Sequence, residues 1–114
     1  MHNSGLPDLS RLLDGPQSAT DYCRSVLSAL TRYDAAHSTD LVHTLRTYFR
    51  CNGNVLKSAE ALFLHRNSVL YRLARIEELL EVDLKDSQDR LTLHLAVELA
   101  ELLEEPDPGD EEWH

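Results

Sequence analysis

The chain of 114 residues is poor in the residues that build turns, with only 4 Gly and 4 Pro. Glycine-rich phosphate loops and turn-dense β-sandwiches are therefore nearly excluded. Its two cysteines, Cys23 and Cys51, are too few for a disulfide scaffold and show no CxxC spacing, so a reducing, cytoplasmic setting is expected. No apolar run approaches the roughly 20 residues of a membrane span, and no signal-peptide core is visible. No membrane contact is predicted.

Basic residues are also scarce, with 11 Lys and Arg against 20 Asp and Glu and a formal charge of −9. They are unevenly distributed, because the segment 41–76 holds six basic residues and a single acid, Glu60. Phosphates repel a net-acidic protein, but screening over roughly 8 Å lets a basic face act separately from acidic flanks. On charge alone, a nucleic-acid-binding face and a solvated helical face both remain open.

The apolar spacing along the chain is that of helices, and no segment is a convincing strand. The sequence predicts an all-α domain of five or six helices. The predicted helices cover 6–14, 18 to about 33, a segment capped by Ser38 or Thr39 and ended by Asn52-Gly53, 54–62, 66–80, and 88 to about 104. The predicted core consists of Leu41, Leu45, Phe49, Ala59, Leu62, Leu64, Val69, Leu73, Ile76 and Leu80.

Three regions are expected along the chain. Residues 1–17 are interpreted as a lead-in from a preceding region, and 18–104 as the folded domain. Residues 105–114 are acidic and contain two prolines, which predicts a disordered tail. The last helix is apolar over more than one stripe, which indicates burial on two sides, within the domain or against a second copy. That helix, or the one from Tyr22 to Tyr33, is the expected dimer seam.

The segment 54–80 has the form of a helix-turn-helix, because two predicted helices are joined by Phe63-Leu64-His65. The small Ala59 lets the helices cross closely. Arg66 and Asn67, at the start of the second helix, suit base edges in the major groove of double-stranded DNA. The side chains expected at phosphates are Ser68, Tyr71, Arg72, Arg75 and Lys57.

Two positions depart from common helix-turn-helix patterns. Phe63 lies where glycine is favoured, because this turn residue often has a positive φ. His65 lies where a serine often caps the second helix, and its ring either has a structural role there or contacts a phosphate.

Catalytic and metal-binding chemistry find little support. His37 and His43 are six residues apart, off the spacing that places two ligands on one helical face. Glu77 and Glu78 adjoin the basic face but lack a nucleophile or a pocket-forming loop, so they are interpreted as a solvated face. We therefore predict neither metal, cofactor nor enzymatic activity.

The stretch AEALFLHRNSVLYRLARIEELLEVDLKD resembles the C-terminal helix-turn-helix of the PucR/CdaR family of bacterial transcription regulators. The part from His65 to Leu73 matches the family pattern H-R-N-[ST]-x-x-Y-R-L, and the similarity extends over roughly residues 9–103. The hairpin is also similar to Fis-type DNA-binding domains.

The resemblance implies a cytoplasmic, homodimeric and sequence-specific binder of double-stranded DNA. It also implies that this is the C-terminal piece of a longer regulator. A region absent here would sense a small molecule and control catabolic genes. The alternative function, from a different class, is a helical protein–protein interaction or dimerisation module, in which the arginines meet an acidic polypeptide instead of phosphates.

Overall fold

The computed structural model describes residues 5–103, and within this range the protein is helical with no strand. A short 3₁₀ helix and five α-helices follow one another, which confirms the all-α prediction. The elements are the 3₁₀ helix Leu9–Asp14, α1 Pro16–His37, α2 Leu41–Arg50, α3 Val55–Leu62, α4 Arg66–Leu80 and α5 Ser87–Leu103. The predicted disordered tail, 105–114, lies outside the described residues.

The core is formed by all five α-helices. Eight of the ten predicted core residues are buried, whereas Leu62 and Leu64 are only partly buried because they lie at the rim of the α3–α4 angle. Val82 and Leu84 anchor the turn between α4 and α5. The rest of the core comes from α1 and α5: Tyr22, Cys23, Val26, Leu27, Leu30, Leu93, Ala96 and Val97.

The beginning of the chain differs from the prediction in two ways. The predicted helix over 6–14 is a 3₁₀ helix that begins only at Leu9, because the Asp8 carboxylate accepts a hydrogen bond from the Ser10 N–H (2.9 Å) and caps it there. Helix α1 begins at Pro16 rather than at Ser18, since proline has no N–H to lose in a first turn. The Tyr22 hydroxyl donates to the Pro7 carbonyl (3.1 Å), which ties the lead-in to α1.

The start of α2 also corrects the sequence prediction. Ser38 ends α1 in a left-handed conformation (φ 53°), and neither Ser38 nor Thr39 caps α2. The Asp34 carboxylate reaches across from α1 and accepts hydrogen bonds from the N–H groups of Leu41 (2.8 Å) and Val42 (3.1 Å). It also accepts from the Thr39 hydroxyl, so one α1 side chain both caps α2 and ties the turn between the helices.

The helix-turn-helix is formed as predicted. Asn54 caps α3 by accepting from the Lys57 N–H (2.9 Å), and α3 ends at Leu62. Phe63 adopts the left-handed conformation (φ 57°, ψ 42°) that a glycine would adopt without strain. The turn therefore has the expected geometry although the residue is not glycine.

Helix α5 begins one residue earlier than predicted, at Ser87, and an acidic cluster organises the turn before it. The Asp89 N–H donates to the Asp86 carboxylate (3.0 Å), and the Asp83 N–H donates to the Asp89 carboxylate (2.9 Å). One side of α5 is buried in the domain. Its other side leaves large apolar side chains exposed: Leu91, Leu102 and Leu103. No helix in residues 5–103 combines the length and apolar character needed to cross a bilayer.

Candidate DNA-binding surface

The N-terminus of α4 is exposed to solvent and is capped by a histidine. His65 lies at the N-cap with extended backbone angles, and its Nδ1 accepts a hydrogen bond from the Asn67 N–H at 3.0 Å. His65 therefore has a structural role as the N-cap of α4. In a neutral ring that accepts through Nδ1 the proton lies on Nε2, which leaves this nitrogen available as a donor.

The first turn of α4 presents polar side chains outward. Arg66, Asn67 and Ser68 are all exposed, whereas Val69 is fully buried and fixes the rotation of the helix. A helix N-terminus with exposed Arg and Asn side chains is the arrangement that reads base edges in the major groove. The partial positive charge of the helix N-terminus adds to the attraction for phosphates.

The next two turns continue this face, but their side chains are partly engaged. Tyr71 is exposed by 64%. Arg72 is half-buried because its Nη1 donates to the hydroxyl of Thr44 (3.2 Å), a fully buried residue of α2. This hydrogen bond uses one of five guanidinium donors and fixes the direction of the side chain.

Arg75 is surrounded by aromatic rings. Its guanidinium carbon lies 5.8 Å from the centre of the Tyr33 ring and 5.9 Å from that of Tyr71, both within cation–π range. Its Nη2 donates to the Tyr71 hydroxyl (3.3 Å), and Nη1 lies 3.6 Å from the exposed carboxylate of Glu78. The Tyr71 hydroxyl and the neighbouring groups raise the pKa of Arg75 above its ordinary value, so the side chain stays charged.

A groove of about 440 Å³ separates this face of α4 from the end of α1 and the start of α2. Five of the eight predicted site residues line it. Lys57, His65 and Arg66 do not, because Lys57 lies on α3 and the other two lie at the tip of α4. The lining residues are Tyr33, Thr39, Leu41, Leu64, Asn67, Ser68, Tyr71, Arg72 and Arg75.

Four groove residues were not in the predicted site. Leu41 and Leu64 were predicted as core, and the other two, Tyr33 and Thr39, carry hydroxyl groups. Tyr33 belongs to the apolar stripe of α1, and Thr39 was considered only as a helix cap. Tyr33 lies on α1 and Thr39 in the turn after it, and only the tertiary packing beside α4 brings them to this surface, so no local sequence signal identifies them. Their hydroxyl groups add polar character to the wall opposite the recognition helix.

The basic residues of the segment 41–76 separate into two groups. Arg46 and Arg50, on α2, both interact with Glu101 of α5 and serve to hold these helices together. The remaining four basic residues are all on the helix-turn-helix: Lys57, Arg66, Arg72 and Arg75.

Within residues 5–103, no three potential metal ligands lie close enough together to hold an ion. The predicted site residues form a polar, positively charged helix face with a groove beside it. Such a surface binds an anionic polymer through hydrogen bonds and charge.

Comparison with known proteins identifies the family. The model of the PucR C-terminal helix-turn-helix domain matches residues 41–99, which cover α2 to most of α5. The purine catabolism regulatory protein of Bacillus subtilis is 33% identical over 102 residues, which are 90% of this chain and 19% of that protein. The carbohydrate diacid regulator of Escherichia coli is 39% identical over 97 residues, 84% of this chain and 24% of that protein.

A third relative is the DNA-binding transcriptional activator AdeR of Bacillus subtilis, which is 36% identical over 73 residues, 64% of this chain and 17% of that protein. The chain thus spans about a fifth of the length of the curated relatives it matches. No solved structure gave a significant match. With the predicted hairpin formed and the family model covering it, this chain belongs to the PucR C-terminal helix-turn-helix family, a DNA-binding module of transcription regulators.

Proposed function

We propose that this domain binds a specific sequence in double-stranded DNA by placing the N-terminal half of α4 in the major groove. The observation that carries the proposal is the first turn of α4, where Arg66, Asn67 and Ser68 are exposed at a capped helix N-terminus. Arg66 and Asn67 then read base edges, since arginine pairs with guanine and asparagine with adenine. The groups assigned to phosphates are Ser68, Tyr71, Arg72, Arg75, Lys57 and the Nε2 of His65.

We further propose that two copies act together in the cytoplasm as part of a longer regulator. A dimer would place two copies of α4 about 34 Å apart, in successive major grooves on one face of the DNA. The exposed leucines of α5 supply apolar surface for such a contact. The regulated genes would be catabolic and the signal a small molecule sensed outside this chain. The surface supports binding, and we assign no catalysis to the domain.

The test is a fluorescence-anisotropy titration of the chain with labelled DNA from its own upstream region, at two salt concentrations, with a random duplex as competitor. Specific binding requires that the random duplex competes poorly. Asn67→Ala is expected to cost about 1–3 kcal/mol on the specific duplex and little on the random one. Arg66→Ala is expected to show the same selectivity.

Phosphate contacts should respond differently. Arg72→Ala is expected to weaken binding to every duplex and to lower the salt slope by about one unit. Arg11→Ala, which removes an exposed arginine on the 3₁₀ helix away from α4, is the matched control and should change neither quantity. If Asn67→Ala and Arg72→Ala both retain full affinity, the assignment of these residues is wrong.

The second candidate function is a protein-binding module. It is favoured by one observation, the apolar pair Leu56 and Phe63 on the outer face of α3 and its turn, exposed by 57% and 94%. Equal, weak binding to specific and random DNA, unchanged when dimerisation is forced by a fused coiled coil, would support this candidate over DNA binding.

A further inference from the structure

The guanidinium of Arg75 is contacted by aromatic side chains from two different helices. Tyr71 lies one turn earlier on α4 itself, but Tyr33 belongs to α1, outside the residues matched by the family model. The two ring centres lie at nearly equal distances from the guanidinium carbon. Arg75 Nε is buried and has no hydrogen-bond acceptor. The two aromatic rings therefore supply much of the favourable contact that this cation has in the folded protein.

The Tyr33 ring is itself held in place by its neighbours. His37, one turn later on α1, stacks on it with ring centres 4.1 Å apart and an angle of 19° between the planes. The His37 Nδ1 also lies 3.1 Å from the Tyr33 carbonyl oxygen. Tyr33 is half-buried, and its ring therefore forms a fixed platform at the edge of the groove.

Arg75 can still accept an anionic ligand in this setting. Its ion pair with Glu78 is long at 3.6 Å, and Glu78 is 69% exposed, which makes the pair weak and easily replaced. A guanidinium presents a planar fork of donors that suits phosphate, and an arginine already restricted by stacking loses less conformational freedom when it binds. Arg75 also lies two turns beyond the tip of α4, where a recognition helix meets the sugar-phosphate backbone rather than base edges.

We propose that Tyr33 is a positioning residue of the DNA-binding surface, holding the Arg75 guanidinium in the groove where it binds a phosphate of the DNA backbone. The inference rests on the proposed function and extends the surface to α1. A purely structural Tyr33 would only fill space between α1 and α4. The two roles differ in whether the effect of Tyr33 on DNA binding passes through Arg75.

The test is a double-mutant cycle with Tyr33→Leu and Arg75→Ala in the full chain. Binding is measured on a specific and a random duplex over a series of salt concentrations. Tyr33→Leu is expected to weaken binding to both duplexes by the same factor and to lower the salt slope by up to about one unit, as loss of one phosphate contact does. In the Arg75→Ala background it should have no further effect, whereas Tyr33→Phe should bind like the original chain because the ring remains.

Two controls separate positioning from folding. Tyr48→Leu removes another half-buried tyrosine, one that packs beside Phe49 away from the groove, and should leave the salt slope unchanged. Tyr33→Met has no ring but a longer, more flexible side chain of similar volume that can fill the space differently, and it replaces Tyr33→Leu if that variant unfolds. Melting temperatures are measured for all variants.

Additive effects of Tyr33→Leu and Arg75→Ala, or an unchanged salt slope in Tyr33→Leu, would overturn the positioning role while leaving DNA binding intact. A chain that binds neither duplex in its original form would instead overturn the proposed function, and this role with it.

Discussion

The side chain of His65 accepts a hydrogen bond from the Asn67 N–H through Nδ1, and its other ring nitrogen remains free. The sequence left a structural role and a phosphate contact as alternatives for this residue. In the structure the cap uses Nδ1, so a phosphate contact through Nε2 is compatible with the cap and stays a prediction. The identity of the exposed α4 residues followed from helical periodicity, whereas the contact of Tyr33 with Arg75 did not, because it joins residues far apart in the chain.

Replacing His65 should separate helix capping from DNA contact. His65→Ala removes the acceptor for the Asn67 N–H and is expected to lower the free energy of unfolding by about 1 kcal/mol. His65→Ser restores a cap and should recover most of this loss in urea denaturation. If His65→Ser is as unstable as His65→Ala, the cap seen at Nδ1 does not contribute to stability.

The same pair of variants reports on the phosphate contact. His65→Ser should remain folded because serine restores the cap. It should bind all duplexes more weakly, because serine has no donor at the position of Nε2 for a phosphate.

At the level of elements, the sequence predicted helices where a local signal marks their ends. Asn54 caps α3 from within its own segment, and α4 has the predicted bounds. The start of α2 was predicted wrongly because its cap, Asp34, lies on the preceding helix. Side chains that act across a turn are invisible to a search for residues adjacent to a helix start. A local signal also predicted the backbone conformation of Phe63, because its position in the turn is one that often has a positive φ.

Asp34 and Asp40 form a matched pair for testing the α2 cap. Asp40 occupies the N-cap position but its side chain makes no capping hydrogen bond, whereas Asp34 accepts two hydrogen bonds from backbone N–H groups of α2. Asp34→Ala should lower the free energy of unfolding by about 1–2 kcal/mol, and Asp40→Ala should change it by less than about 0.5 kcal/mol. Chemical denaturation measures both, and equal losses would show that the cap is not specific to Asp34.

At the level of the whole molecule, α1 is a part of the folded unit although the family model begins at α2. The fully buried side chains of Tyr22 and Leu30 on α1 belong to the same core as Ile76 and Leu93. The sequence showed the apolar stripe of α1, but the predicted core did not include it, because periodicity does not reveal which elements a stripe packs against.

A chain limited to 41–103 should therefore fail to fold cooperatively. Removal of α1 exposes the core faces of α4 and α5 and deletes the Asp34 cap of α2. Thermal unfolding followed by circular dichroism should show no sharp transition for 41–103 and a sharp one for the full chain. A sharp transition at an unchanged melting temperature for 41–103 would show that α1 contributes nothing to the core.

The charges along α4 change sign from one end to the other. Arginines occupy its first three turns, and the exposed Glu78 and Glu81 follow at its end. If the helix lay flat along a groove, these carboxylates would approach phosphates. Under the proposed function we therefore expect the helix to enter tip first, with its far end lifted from the duplex. A helix that enters end-on contacts only a few base pairs. So short a recognition sequence recurs throughout a genome that offers about 10⁶ or more competing sites. Under the proposed function, a single copy of this domain thus reads too few base pairs to select a promoter, and we expect selectivity to depend on two copies that read two short sites at a fixed spacing.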